Sequence, residues 1–345
     1  MDQSPVSSVQ LADAQDDSHR SLPNEVSTCQ LCGGSQVVHF MTAPDRFHWR
    51  PNEYNLMRCS TCSYVWLASP PKPDEMWFHY SEDYHRVIMA AGEKSAASVW
   101  QRQRDVIASH KKGGAILDVG CSSGGFLGTM KDGSWKLFGI EMEASTAEKA
   151  RAATGAEVFV GDVLAAPFPA ESFDVITGFD LLEHVYYPRQ FLAKVWQWLK
   201  PGGIVYFRVP NIDSWEARML WTYWYGLELP RHISHFSPKS LRHVMNSLGF
   251  RETALKTPRT AYIEHSTGYL YSAMAQKVGI SVAPMSKRGP RSIPMRLVRK
   301  AFQLSLVVPF SQIASMAGCG PSIEAVFEKP VSNPDKTTGV SGAKA

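Results

Sequence analysis

No signal peptide and no long uninterrupted apolar segment opens this 345-residue chain. The uncharged run from Ala301 to Gly320 is interrupted by Gln303, Ser305, Pro309 and Gln312, which argues against a membrane-spanning helix there. A cytoplasmic protein is expected, with membrane contact restricted to a surface. Cysteine is scarce. Of the six present, four form two C-x-x-C pairs, a pattern of metal binding rather than of a secreted disulfide framework. Acid is missing from His265 to Ile323, a span that holds seven Lys or Arg; subtracting these from the formal +4 leaves about −3 for the remainder. The basic character is therefore local, and attraction of the whole protein to nucleic acid is not implied. What is abundant is apolar content, 44%, ample for a catalytic domain with additions. Residues 1–26 and 331–345 are polar without a hydrophobic period and read as a disordered leader and tail.

The stretch around which the rest is organised is Asp118-Val-Gly-Cys-Ser-Ser-Gly-Gly125. It follows the apolar run Ala115-Leu117 and precedes Phe126-Leu127, which predicts a strand, a tight glycine turn and a helix start. Glycines let the backbone approach a ligand, and a helix N-terminus offers free N–H donors. Asp118 discriminates between ligands, because a carboxylate at the strand tip repels a pyrophosphate and attracts a cation. About twenty residues on, where such folds place an acid on the ribose hydroxyls, stands Glu141.

From Gly113 to Phe250 the chain resembles the class I S-adenosylmethionine (AdoMet)-dependent methyltransferases, whose turn reads D-x-G-x-G-x-G. Ser122 stands at the middle glycine, which it can fill only at negative φ. The resemblance implies an α/β fold, a Rossmann-like doubly wound seven-stranded sheet. It also implies AdoMet as cofactor, held by Asp118, Gly120, Ser122, Gly124, Glu141, Asp162 and Asp180. Asp162 would accept from the adenine amino group, although an aspartate there also suits a helix N-cap. The block Phe173-Asp-Val-Ile-Thr-Gly-Phe-Asp180-Leu-Leu-Glu183-His184 looks like the fourth strand and the loop facing the transferable methyl.

Ahead of this domain, Cys29-Gln-Leu-Cys32 and Cys59-Ser-Thr-Cys62 predict two knuckles closing one tetrahedral Zn²⁺ site. Four thiolates leave no open position, so the metal would be structural. A four-cysteine unit in this place resembles nucleotide-sugar C-methyltransferases and certain ribosomal RNA guanine methyltransferases. Arg46, His48, Trp49, Arg50 and Arg58 are thin support for an RNA surface. Pro70-Pro-Lys-Pro73 predicts a stiff connector between the zinc unit and the helices after it. In the resembling enzymes a tyrosine-rich segment then covers the cofactor, which makes Tyr80 and Tyr84 lid candidates; ordinary aromatic packing is the competing explanation.

Methyl transfer from a sulfonium to a hydroxyl or carbon acid needs a base near neutral pKa, and histidine is the default. The candidates are His232, then His235 and His184; Ser237-Pro238 predicts a helix start, which puts His232 and His235 on the loop that enters it. Leu229-Pro-Arg-His232-Ile-Ser-His235-Phe236-Ser237 resembles the sugar C-methyltransferase pattern Tyr-x-Glu-His-x-x-Tyr-Phe-Ser. Leu229, Arg231 and His235 depart from it, which favours oxygen at least as much as carbon as the acceptor.

The organisation expected is a leader (1–26), a zinc-knuckle unit (27–72), linker and lid helices (73–110) and the AdoMet domain (111–262 and 321–330). An inserted helical cap (263–320) and a tail (331–345) complete it. The insertion carries Lys287, Arg288, Arg291, Arg296, Arg299 and Lys300, so 287–318 is a candidate for peripheral membrane contact. The expected function is methylation of a small molecule, a sugar or secondary metabolite. An RNA-directed methyltransferase and a non-catalytic methyltransferase-like binding protein are the alternatives.

Overall fold

The computed structural model describes residues 28–80, 97–277 and 303–331. Two sheets organise them. The first begins with β1 (Val37–Pro44), β2 (Glu53–Cys59) and β3 (Val65–Leu67), an antiparallel meander behind the cysteine pairs. The short helix α1 (Pro73–Met76) follows, and α2 (97–110) leads into the second sheet.

That sheet contains β4 (Gly114–Val119), β5 (Trp135–Glu141), β6 (Glu157–Val160), β7 (Phe173–Phe179), β8 (Leu199–Pro210), β10 (Arg251–Lys256) and β11 (Ser322–Glu328). Its order is β10-β11-β8-β7-β4-β5-β6, with β4 to β8 parallel and β11 antiparallel to both its neighbours. The seven strands that the resemblance implies are all present, and β4 extends the apolar run Ala115-Leu117 by a residue or two at each end. The strand order reverses between β4 and β7, which opens a crevice at their carboxyl ends. The helices α3 (Gly125–Thr129), α4 (Ala144–Thr154), α5 (Pro188–Trp198), α6 (Trp215–Leu220) and α7 (Pro238–Ser247) connect the strands. Then α8 (Tyr262–Lys277) and α9 (Val308–Met316) form the region between β10 and β11.

Period-two alternation explains how both faces are filled. On one face Ile116, Val175 and Ile204 pack with Ile107 of α2, Leu127 of α3 and Ala147 and Ala150 of α4. On the other, Leu117, Val119, Ile176 and Val205 pack with Phe191 and Val195 of α5 and Leu241 and Val244 of α7. Cys29, Leu31, Cys59, Cys62, Tyr64 and Trp66 belong to that same second core. The N-terminal unit is therefore fused to the sheet rather than hung on a connector. Each of its buried large apolar side chains contributes roughly 1.5–3 kcal/mol to that fusion.

The first sheet is completed from far along the chain. β9 (Ser234–His235) pairs antiparallel with β3, placing Val65 opposite His235 and Trp66 opposite Ser234. The sequence reading puts His232 and His235 together on the loop before α7. His232 is on a loop, whereas His235 lies in this short strand. Ser237 caps α7, accepting from Ser240 N–H, with Pro238 at the first helical position, as the Ser-Pro pair implies.

Candidate active site

The glycine turn sits at the crevice. Gly120 and Gly124 have φ of 74° and 83°, and both are needed: a Cβ on Gly124 would lie 3.1 Å from Ala150 Cα, and one on Gly120 would lie 3.1 Å from Leu181 Cδ1. The second contact joins the turn to the loop after β7, where Glu183 and His184 stand. Ser122 is a correction to the sequence reading, since it stands at φ 48° rather than at negative φ. A Cβ in that region costs roughly 1–2 kcal/mol. The Ser122 N–H donates to Glu141 Oε2 at 2.9 Å, which ties the strained turn to the tip of β5.

Asp118 is 4% exposed and accepts from Thr177 Oγ1 at 2.7 Å. Burial pushes its carboxyl up to about 7, against the Thr177 hydrogen bond that favours the ionised form. Glu141 Oε1 accepts from the N–H groups of Met142 and Glu143. Asp162 accepts from Leu164 N–H and caps a single 3₁₀ turn. Asp180, at φ 52°, forms an ion pair with Arg208, whose Nε donates to Oδ1 at 3.0 Å. Tyr84 lies outside the described residues.

The three histidines converge. The rings of His184 and His232 are 4.8 Å apart between centroids, and those of His232 and His235 are 6.3 Å apart. Each plays a different part. His232 Nδ1 lies 2.9 Å from the Gly226 carbonyl, which only accepts, so Nδ1 carries the proton and Nε2 the lone pair. His184 Nδ1 is fixed in the same way by the Arg231 carbonyl at 3.0 Å, and Tyr80 Oη stands 3.1 Å from it. Burial lowers His232, partly offset by Glu228, and lowers His184 to about 4 with help from His232. Both are neutral at pH 7. His235 is buried, lowered to about 3 by that burial, and neither ring nitrogen has a hydrogen-bond partner among the described residues. It packs in the site rather than facing an open space.

Four charged residues that the sequence reading does not assign complete the centre. Glu228 receives Arg231 Nε on Oε1 at 3.2 Å, and its Oε2 faces His232 Nε2 at 3.7 Å. The Arg231 guanidinium, fully buried, donates to the His79 carbonyl and lies 3.8 Å from Asp45 Oδ2. Asp45, in the loop between β1 and β2, also accepts from the N–H groups of Phe47 and His48. Glu183 is buried, and one donor atom each from Glu183, His184 and His232 lies within 4.8 Å of the others. Burial, with Asp180 nearby, pushes the Glu183 carboxyl well above the usual carboxylate range. The hint available in the sequence is an acid beside two of the histidines, Glu183 before His184 and Glu228 four residues before His232. Asp45 offers none.

The four cysteines of the N-terminal unit also converge, with Cys29 Sγ 3.7 Å from Cys62 Sγ and Cys32 Sγ 3.6 Å from Cys59 Sγ. Four thiolates bonded tetrahedrally at ~2.3 Å stand about 3.8 Å apart, so the donor set fits a Zn²⁺-sized ion. Cys29 and Cys62 share a proton, Cys29 lowered and Cys62 raised by the contact between them, and burial raises Cys32, so a bound ion would have to displace protons to bring all four to thiolates.

Residues 93–255 match the family model of a methyltransferase domain. A probable S-adenosylmethionine-dependent methyltransferase of Mycolicibacterium smegmatis is 26% identical over 117 residues, 32% of this chain and 46% of the relative. A ubiquinone biosynthesis O-methyltransferase of Nitrosococcus oceani is 37% identical over 105 residues, 29% of this chain and 44% of the relative. The match thus spans a little under half of each of these curated relatives. Among solved structures, a possible histamine N-methyltransferase of Thermotoga maritima is 17% identical, with a TM-score of 0.47, covering 74% of this chain and 99% of the other. A SAM-dependent methyltransferase of Archaeoglobus fulgidus gives 17% and 0.46, covering 70% and 99%.

Proposed function

We propose that this chain, which carries a methyltransferase domain over residues 93–255, transfers a methyl group from AdoMet to a hydroxyl or acidic carbon of a small molecule. The observation that carries this reading is the geometry of His232: its Nδ1 is held by the Gly226 carbonyl at 2.9 Å, which leaves Nε2 facing the centre beside Glu228. Bound AdoMet supplies an activated methyl on a sulfonium, so the protein needs no further electrophile. What remains is to align the acceptor, exclude water and remove a proton.

His232 Nε2 accepts the acceptor's proton, and the imidazolium formed lies against Glu228. Arg231 holds Glu228 in place from the other side. His184, held by the same loop through the Arg231 carbonyl, lines the acceptor position and keeps His232 oriented. On the cofactor side, Asp118 and Glu141 put negative charge around the glycine turn, suited to a cationic guest. The Cys29, Cys32, Cys59 and Cys62 set binds one structural Zn²⁺.

Oxygen is favoured over carbon as acceptor. Leu229 and Arg231 depart from the sugar C-methyltransferase pattern, and several relatives are named as O-methyltransferases. A sugar or secondary metabolite hydroxyl is the substrate class we infer. Calorimetry with AdoMet, followed by incubation of purified protein with isotope-labelled AdoMet and a small-molecule extract, tests the reading. Label is expected in a low-mass product. Tight AdoMet binding with no labelled product in any fraction favours a non-catalytic binding protein, and label in RNA favours the RNA-directed alternative.

A further inference from the structure

The basic stretch from Lys287 to Lys300 lies outside the described residues. Within them, Glu183 is 2% exposed and carries a carboxylate oxygen, Oε2, with no hydrogen-bond partner among the described residues. A buried acceptor left bare costs about 1–3 kcal/mol, and more when charged, so it calls for a guest.

The neighbouring rings offer no hydrogen to it. His184 Nδ1 faces the Arg231 carbonyl at 3.0 Å and His232 Nδ1 faces the Gly226 carbonyl at 2.9 Å, so each ring gives its proton to a backbone oxygen and keeps a lone pair on Nε2. One donor atom each from Glu183, His184 and His232 lies within 4.8 Å of the others. A proton on Glu183 Oε2 does not join them, since that atom bonds to nothing among the described residues. Three electron pairs therefore meet, and a cation satisfies all three at once.

The cluster is held from both sides. Glu183 and His184 belong to the 3₁₀ turn Leu182–His184 after β7, and His232 to the loop before β9. Ile233 N–H donates to the Glu183 carbonyl at 2.9 Å and Ser234 Oγ to the Val185 carbonyl at 3.3 Å, which stitches the two loops together. Ligands at roughly 2.0–2.2 Å around a tetrahedral ion stand about 3.4 Å apart, so this set closes on one by at most about 1.5 Å.

The local charge leaves room for two positive units. Asp180 is balanced by Arg208, and Arg231 lies between Glu228 and Asp45. Once an ion draws Glu183 into its ionised form, three carboxylates face one guanidinium, a deficit that a divalent ion fills. Two imidazoles and one carboxylate suit a first-row transition metal, and three protein ligands keep a coordination position open, unlike the four cysteines.

We propose that Glu183, His184 and His232 bind a divalent transition-metal ion, separate from the zinc of the cysteine set. The ion takes the Nε2 lone pair of His232. On the methyl-transfer reading of this centre, ion and acceptor proton compete for that pair, and the ion-loaded form is at rest. Binding itself needs no turnover.

The full chain as purified is to be titrated with Co²⁺ under reducing conditions, with metal content read by elemental analysis and ligation by absorption. One equivalent of cobalt is expected beyond any zinc present, with the visible bands of nitrogen and oxygen ligation and without the near-ultraviolet bands of thiolate ligation. Glu183→Gln and His184→Gln should each weaken cobalt binding at least about tenfold, a loss that even changes outside the ligand set bring, and each should keep the zinc content of the parent, which shows that the variant folds. No cobalt uptake, uptake with thiolate bands alone, or uptake indifferent to both variants overturns the site. Cobalt should also slow methyl transfer and a chelator restore it; turnover that rises with cobalt overturns the competition. A protein that binds cobalt through these residues but transfers no methyl group keeps the site and loses only the methyl-transfer reading.

Discussion

Val65 and His235 stand opposite each other in register, so the strand leaving the Cys59–Cys62 knuckle is paired with the strand that ends the histidine loop. Tyr64 Oη, 2.6 Å from Ser234 Oγ, reinforces the link from within the core. The cysteine unit and the histidine centre are thereby one mechanical body.

Purified under reducing conditions, the protein should hold one zinc per chain. Cys62→Ala should remove it and lower thermal stability by several kcal/mol, because metal binding free energy is folding free energy. Turnover should fall with it. Elemental analysis and thermal unfolding with and without chelator check this, and metal-free protein with unchanged unfolding would remove the zinc from the account.

His232→Ala should slow turnover by roughly 10²–10⁴-fold, the usual contribution of a general base. AdoMet affinity should stay as it was, since the ring faces Glu228 and His184 rather than the glycine turn. Calorimetry beside steady-state kinetics separates the two quantities. His235→Asn should cost stability more than rate, given a ring whose nitrogens meet no partner among the described residues.

The buried Asp118 gives AdoMet binding a pH dependence. Its carboxyl is held near 7, so below that value it is neutral and attracts a cation weakly. Affinity should therefore rise as pH increases through about 7 and level off above. For the free protein the sign is opposite: a carboxyl raised from its ordinary value of 3.8 stabilises the fold at low pH and loses that contribution between about 4 and 7. Titrating affinity and stability across this range, with Asp118→Asn as the comparison, should show both slopes vanish in the variant.

Arg231→Met should destabilise the protein by about 3–5 kcal/mol, the usual cost of leaving a buried carboxylate without its partner. Glu228 would lose the Arg231 Nε hydrogen bond and Asp45 a compensating charge 3.8 Å away, in a site where Arg231 is 1% exposed. Chemical denaturation measures this. A loss of under one kcal/mol would mean that the network is solvated in solution.

How much of this fold and site is legible in the chain depends on the range of the interaction. The glycine turn, Glu141 and the capping serine of α7 follow from neighbours a few residues away, and the strands follow from apolar runs. The register of β3 on β9 joins residues 170 apart, and the contact of Arg231 with Asp45 is of similar reach. Neither leaves a periodic trace. Ser122 escapes a local reading because its tolerance of positive φ depends on the Glu141 carboxylate that receives its N–H, a partner supplied by the next strand. The histidines can be named from the sequence, and the motif puts His232 first, but the physical difference between His232 and His235 lies in what surrounds the ring nitrogens.

The late arrival of β9 bears on biosynthesis. As the chain leaves the ribosome, Tyr64 emerges 170 residues before Ser234, and until then the open side of the N-terminal meander has no partner. A nascent chain that stalls in that interval exposes a sticky ribbon edge, so shortened products ending before Ser234 should clump in cells even when their cysteines are loaded.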